Sequence, residues 1–227
     1  DDRSIEDVRP SDLDGYAQCH FFAGVGVWSY ALRLAGWPDE RPIWTGSCPC
    51  QPFSAAGEGA GFADERHLWP AFHHLIKERR PAIVFGEQVA SKDADPWIDL
   101  VQTDVEAMGY AFGAVPFPSA GIGAPHIRDR AYWVANSNDK RLEGWVLPAE
   151  RPVEFAAGAS RVAGPTNGFW EHAEWVKCED GERPIEPGTF PLANGAPARV
   201  GRLRAYGNAI NAEAARVFIE AVMECAP

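Results

Sequence analysis

Four short segments carry side chains that do chemistry better than they pack. Cys48-Pro49-Cys50 sets two thiols one residue apart in a loop rich in Gly and Pro. Disulfide exchange normally uses two intervening residues, which argues against redox work. Metal binding needs further Cys or His at ligand spacing, but Cys178 stands alone and His73-His74 lies in a helical run, so no metal is expected. A thiolate nucleophile and a buried, inert cysteine remain, and Cys48 reads as the inert one. Glu87 follows the apolar run Ala82-Ile83-Val84-Phe85. A carboxyl at a desolvated strand end has a raised pKa and can hold and donate a proton; the alternative is a capped loop carboxylate. Arg128 and Arg130 lie two apart, so on an extended segment they face one way. Such a pair suits a phosphate, a carboxylate or an acceptor-rich base edge, or else a solvated salt bridge. Finally, Phe22-Ala23-Gly24-Val25-Gly26 is a glycine turn that lets backbone approach a ligand, although such turns are also simply structural.

The elements that must position these groups alternate. An apolar run over Ala17–Ala23 ends at the Gly24-Val25-Gly26 turn. Val27, Tyr30, Ala31 and Leu34 then recur at helical spacing until Gly36 and Pro38. Ile43-Trp44 is a short strand entering the cysteine loop. A helix is expected over about Glu65–Arg80, a strand over 82–85 ending at Gly86-Glu87-Gln88-Val89, and a helix over about Pro96–Met108. Strands follow at Tyr110–Val115 and Ala131–Ala135. Strands alternating with helices, several apolar throughout, imply an α/β fold with a doubly wound, mostly parallel sheet covered on both faces. Ligands in such sheets bind beyond the carboxyl ends of the strands. Periodicity fades from Asn136 to about Gly201, and a helix over Asn211–Glu224 closes the chain with Ala215, Phe218, Ile219 and Val222 on its apolar face. The division expected is a catalytic domain over 1–135, an irregular insertion over 136–200, and a C-terminal segment over 201–227 that packs back on the first part.

The chain has 227 residues, 46% of them hydrophobic and 23% charged, which places it among globular proteins and outside the disordered class. No run approaches the length of a membrane helix, and no basic-then-apolar leader opens the sequence, so a membrane role is not expected. Five cysteines are odd in number and too sparse for a disulfide scaffold, so a reduced, cytoplasmic protein is expected. The net charge of −11 argues against a partner gripped mainly through phosphates, yet residues 187–212 hold Arg199, Arg202 and Arg204 with no acid. Gly57–Gly61 is a candidate lid after the nucleophile loop. Trp170 and Trp175 are candidates for stacking on bases, although packing is the more usual use of tryptophan.

In this order the segments resemble the cytosine-5 DNA methyltransferase family, in its short, prophage-type form. Phe22-Ala-Gly-Val-Gly26 resembles the first cofactor motif, and Pro49-Cys50-Gln51-Pro52-Phe53-Ser54 the nucleophile loop. Gly86-Glu87-Gln88-Val89 stands where the family writes Glu-Asn-Val, and His126-Ile-Arg128-Asp-Arg130 where it writes Gln-x-Arg-x-Arg. Tyr206-Gly207-Asn208-Ala209-Ile210 resembles the closing motif. The resemblance implies a methyltransferase-type sheet binding S-adenosylmethionine through Phe22, Ala23, Gly24 and Gly26, with Asn208 nearby. It implies double-stranded DNA as partner, in a bacterial or phage-infected cell, with the target cytosine flipped out of the duplex. Cys50 would add to C6, Glu87 would meet the N3 and amine edge, Arg130 would hold O2, and Arg128 would support the loop or a phosphate.

The departures from the family define the alternatives. Only residues 27–47 lie between Gly26 and Cys48, room for one helix and one strand, where the family places two further strands with acids for the cofactor ribose and adenine. The sheet is therefore expected to be shortened in its first half, with Asp39 and Glu40 the only acids in the gap. Gln88 replaces the family Asn, and His126 replaces Gln. Alternatives to the methyltransferase are a catalytically weak or inactive relative that binds nucleic acid or a partner, and the same chemistry on RNA or a nucleotide. A homodimer could supply the missing wall of the cofactor pocket.

Overall fold

The computed structural model describes residues 2–49, 68–92, 94–124, 127–137, 170–178, 181–185 and 210–225. Strand β1 (Gln18–Phe21) leads through a glycine turn into helix α1 (Val27–Leu34), which stops where Gly36 takes a φ of 78°. Strand β2 (Ile43–Gly46) follows, then helix α2 (Trp69–Arg79), strand β3 (Ile83–Val89) and helix α3 (Asp95–Ala107). Strands β4 (Ala111–Pro118) and β5 (Asp129–Asn136) form a long hairpin, strands β6 (Glu174–Cys178) and β7 (Gly181–Ile185) a short one, and helix α4 (Ala212–Cys225) comes last. Before β1, the acidic lead coils into two 3-10 turns pinned by an Arg3–Asp12 ion pair of 2.7 Å, and it tucks Ile5 into the core.

The main sheet runs in the order β1-β2-β3-β5-β4. β1, β2 and β3 pair in parallel, whereas β5 runs antiparallel to both neighbours, so four strands share one direction and one opposes it. The sheet is mostly parallel, as the alternation predicts, but the reversal of β5 is a correction to a simple parallel reading. That reversal also moves a boundary. The apolar pattern ends β3 at Phe85, yet the strand continues through Gly86-Glu87-Gln88-Val89. β2 stops pairing at the Gly46–Gly86 position, while antiparallel β5 carries the ladder on to Val89 opposite Arg130.

Side chains alternate across the sheet into two cores. Cys19, Phe21, Trp44, Val84 and Trp133 face α2 and α3; Ile43, Ile83, Phe85 and Tyr132 face α1 and α4. Helices therefore cover both faces in three layers, the doubly wound arrangement. The segment 27–47 holds one helix and one strand, so β1 pairs directly with β2. On α1 the buried stripe is Trp28, Ala31 and Leu32, one step round from the expected one. Ala31 is shared, but Tyr30 and Leu34 are exposed, because packing against α4 selects the face that carries the tryptophan. Trp170 is buried and Trp175 is exposed. Most of residues 136–200 lies outside the described residues; within it the β6–β7 hairpin forms a separate two-stranded sheet. Among the described residues no helix is long and apolar enough to cross a membrane, and no group of three or more His, Cys, Asp or Glu side chains is placed to hold a metal.

Candidate active site

Because β5 is reversed, its entry lies at the same end of the sheet as the exits of β1, β2 and β3. The turn after β1, the segment after β2, the end of β3 and the approach to β5 therefore converge, although the chain separates them widely.

After β1, Phe22 (φ 54°), Gly24 (φ 55°) and Gly26 (φ 82°) all adopt left-handed backbone, and the Gly26 N–H donates to the Ala23 carbonyl at 2.8 Å. Phe22 tolerates this strained region while its ring packs edge-on against Phe72. At Gly24 a side chain would meet no atom within 4 Å, so its backbone is open to a neighbour. The turn delivers the chain into the N-terminus of α1.

After β2, Ser47-Cys48-Pro49 leads to Cys50, which lies outside the described residues, as do Gly57–Gly61, His126, Arg199, Arg202, Arg204 and Asn208. Cys48 is buried. Its carbonyl accepts a hydrogen bond of 3.1 Å from the Gln88 side-chain amide, and Gln88 Oε1 accepts from the Val89 N–H at 2.9 Å. Gln88 is itself buried. The longer side chain that replaces the family Asn thus spans from β3 to the segment that carries the nucleophile candidate.

Glu87 points to the opposite face from Gln88, toward α1, and is 7% exposed. Arg130 Nε lies 2.8 Å from Glu87 Oε1, and Arg130 also donates to the Asp129 carbonyl at 2.7 Å. Burial pushes the Glu87 carboxyl above its ordinary pKa; the charges of Arg130 and Arg128 and hydrogen bonds from Ser47 and Arg130 pull the other way. Loss of water outweighs the arginines, so the proton is held more tightly than in solvent. Arg128 does not lie on the strand. Its φ of 36° places it in a left-handed turn just before β5, so it reaches Glu87 by charge from a bend rather than by extended alternation.

Two participants escaped the sequence reading. Ser47 and Trp28 join Glu87 on the α1 face: the Trp28 indole N–H donates to Ser47 Oγ at 3.0 Å, and Ser47 and Glu87 each lie one residue beyond the Gly46–Gly86 pair, with the Ser47 hydroxyl among the groups that draw the carboxyl toward its charged form. The parity of β2 was the available signal, since Ser47 continues the series Ile43 and Thr45 that faces this helix. On the same face His20 Nδ1 and Thr45 Oγ1 lie 2.8 Å apart. Of the two gap acids, Asp39 is taken up in a two-point pair with Arg33, at 2.9 and 3.0 Å, and Glu40 is exposed.

The described residues bring a buried carboxyl, two arginines and the Ser47–Pro49 segment, held by Gln88, to one sheet end. A family model for C-5 cytosine-specific DNA methylases matches residues 32–166, more than half of the chain. The chain belongs to this family. The match takes in Cys50, Glu87, Arg128 and Arg130, while the turn after β1 and Asn208 fall outside it. Among curated family members, the type II methyltransferase M.HhaI of Haemophilus parahaemolyticus is 31% identical over 122 residues, covering 52% of this chain and 36% of that relative. M.NgoBI of Neisseria gonorrhoeae is 28% identical over 165 residues, 65% of this chain and 52% of the relative. The chain thus spans between about a third and about half of the length of these curated relatives. Among solved structures, the Dnmt2 methyltransferase of S. pombe is similar at 17% identity and a TM-score of 0.43, covering 54% of this chain and 51% of that one.

Proposed function

We propose that this chain transfers a methyl group from S-adenosylmethionine to C5 of a flipped cytosine in DNA. One observation carries the reading: a buried carboxyl with raised proton affinity, Glu87, sits against Arg130 and one residue from Gln88, which grips the carbonyl two residues before Cys50. Family membership supports it further.

In this reading the Cys50 thiolate forms the S–C6 bond, and the ring electrons move toward C5 and N3. Glu87 gives its proton to N3 as the charge arrives there, and the burial that raises its pKa makes it hold that proton more tightly than a solvated carboxyl would. Arg130 holds O2 and, once Glu87 is an anion, neutralises it; Arg128 supports the same corner. S-adenosylmethionine supplies the electrophilic methyl group. Loss of the C5 proton to a base then returns the electron pair, the S–C6 bond breaks, and Cys50 leaves as thiolate while N3 gives its proton back to Glu87. Phe22, Ala23, Gly24 and Gly26, with Asn208, would hold the cofactor. The left-handed turn, with open space at Gly24, fits an approach of the ligand to backbone. Residues 1–135 and 201–227 would form the catalytic part, a division favoured by the packing of α4 on α1, with 136–200 as the reduced recognition region.

Trapping tests the reading. A duplex containing 5-fluorocytosine, incubated with the protein and S-adenosylmethionine, should yield a covalent complex that survives denaturation and disappears in Cys50→Ser. The absence of a complex with the wild-type chain overturns the assignment. Parallel RNA and nucleotide substrates identify the polymer acted on. The tying up of Asp39 by Arg33 favours a second reading, a relative with weakened cofactor binding whose pocket is completed by a second copy. Light scattering decides this one: a monomer that binds cofactor removes the homodimer.

A further inference from the structure

We propose that Trp28 and Ser47 are positioning residues for Glu87: the indole N–H fixes the Ser47 hydroxyl, and the hydroxyl in turn fixes the carboxyl. The inference rests on the reading of Glu87 as the group that meets the cytosine edge, and it adds two residues on different elements that decide how the carboxyl is presented.

The argument is one of donors and acceptors. An indole N–H can only donate, so at the 3.0 Å contact Ser47 Oγ must accept. A serine hydroxyl has a single proton, and with Trp28 occupying a lone pair, that proton is turned away from the indole. In the parallel register Gly46 lies beside Gly86, so Ser47 and Glu87 each come one residue later, on the α1 face of the sheet. Glu87 is the acceptor this direction favours, consistent with the way Ser47 hydrogen bonding draws the carboxyl toward its charged form. The other side of the carboxyl is taken by Arg130 at 2.8 Å. A carboxyl held from both sides cannot rotate freely.

Trp28 is built to be immobile. It is 1% exposed, and its ring lies 6.3 Å from Phe85 and 6.2 Å from Tyr132, the latter edge-to-face. Phe85 and Tyr132 flank Glu87, two residues before it on β3 and opposite it on β5. The sheet that carries the carboxyl therefore also locks the tryptophan that aims the serine. A purely packing role would need a large apolar ring in this place, but not an indole nitrogen pointed at a hydroxyl.

The test reads the carboxyl directly and then the reaction. Protein labelled with 13C at the glutamate carboxyl carbons is titrated by NMR, with Glu87→Gln to identify the signal. Ser47→Ala should move the Glu87 midpoint upward, because a donor to the charged form is lost. Ser47→Thr, which keeps the hydroxyl, should restore it. Trp28→Phe should shift it in the same direction by less, since the hydroxyl remains but is free to turn. In steady-state transfer, Ser47→Ala should lower kcat about tenfold, as expected for one mispositioned hydrogen bond, with KM for DNA nearly unchanged and the alkaline limb of the pH profile displaced upward. An unmoved midpoint in Ser47→Ala, or failure of Ser47→Thr to restore it, overturns the proposal. If Ser47→Ala loses its cooperative melt, Trp28→Phe decides, and an unmoved midpoint there overturns the proposal equally. A wild-type chain with no transfer at all overturns the methyltransferase reading instead, and the titration still decides whether Trp28 and Ser47 control the carboxyl.

Discussion

In the proposed reaction Glu87 couples chemistry to stability through one proton. Its carboxyl is pushed above the ordinary value of 4.5, so the folded chain binds this proton more tightly than the unfolded chain does. The sign follows from linkage: where the native state binds more protons, stability falls as pH rises. The contribution of Glu87 is fully present below the unfolded value. It is lost progressively as pH climbs from 4.5 through the raised folded value. Glu87→Gln keeps the shape and removes the titration. Thermal melts at pH 5 and pH 8 should show a larger drop for wild type than for the variant, while trapping of the cytosine analogue collapses in the variant. Equal drops would mean that the carboxyl is not desolvated in solution. His20, whose buried ring has a lowered pKa, contributes the opposite slope below its ordinary 6.5. The difference between wild type and Glu87→Gln cancels that term.

At the scale of elements, β3 presents three consecutive residues to three different tasks. Gly86 has no room for a side chain, because a Cβ there would run into the buried Trp133 indole opposite it. Gly86→Ala should cost about 1–3 kcal/mol through forced movement of a packed ring, read as a fall in the urea midpoint. A wild-type midpoint would show that the indole can shift at no cost. Gln88 holds the segment before Cys50: Gln88→Leu removes the amide that donates to the Cys48 carbonyl, and the trapping rate should fall about tenfold while the duplex is bound as before. An unchanged rate would free Gln88 from any role in the loop. Much of this architecture was legible beforehand. Gly24, Gly26 and Gly36 bracket α1, and of the residues named for chemistry the described ones, the Phe22–Gly26 turn, Glu87, Arg128 and Arg130, lie at one sheet end. What escaped was set by partners distant in sequence. The apolar pattern of β5 is the same in either direction, so neither its reversal nor the extension of β3 could be read from it. The stripe on α1 was misplaced by one step because Tyr30 and Leu34 are as apolar as Trp28 and Leu32, and only α4 distinguishes them. Ser47 looked like a loop residue until the face it shares with Thr45 was known.

For the molecule as a whole, the question is whether a sheet with one helix and one strand between its first turn and its cysteine loop still holds S-adenosylmethionine. Calorimetry on the full chain gives the decision. Micromolar binding to the protein alone is expected if the turn after β1 suffices. Binding only in the presence of duplex would place part of the pocket on the DNA or on a second copy, and no binding in either case favours the inactive reading. The −11 charge predicts a further whole-molecule effect: DNA affinity should rest on a local basic stretch such as 187–212 and weaken steeply with salt. A flat salt dependence would mean that recognition does not run through phosphates.

The packing of α4 against α1 also bears on how the protein is made. The core facing α2 and α3 draws on residues between Ile5 and Ala135, whereas the opposite core needs Ile210, Ala214, Ala215, Phe218 and Ile219. A chain emerging from the ribosome can therefore close one side of its sheet while the other still lacks its cover. Phe85 and Tyr132 lack the Phe218 ring that packs on both of them until the segment bearing α4 has cleared the exit tunnel. Synthesis thus passes through a sheet covered more fully on one side than on the other, and the side completed last is the one that seats Glu87.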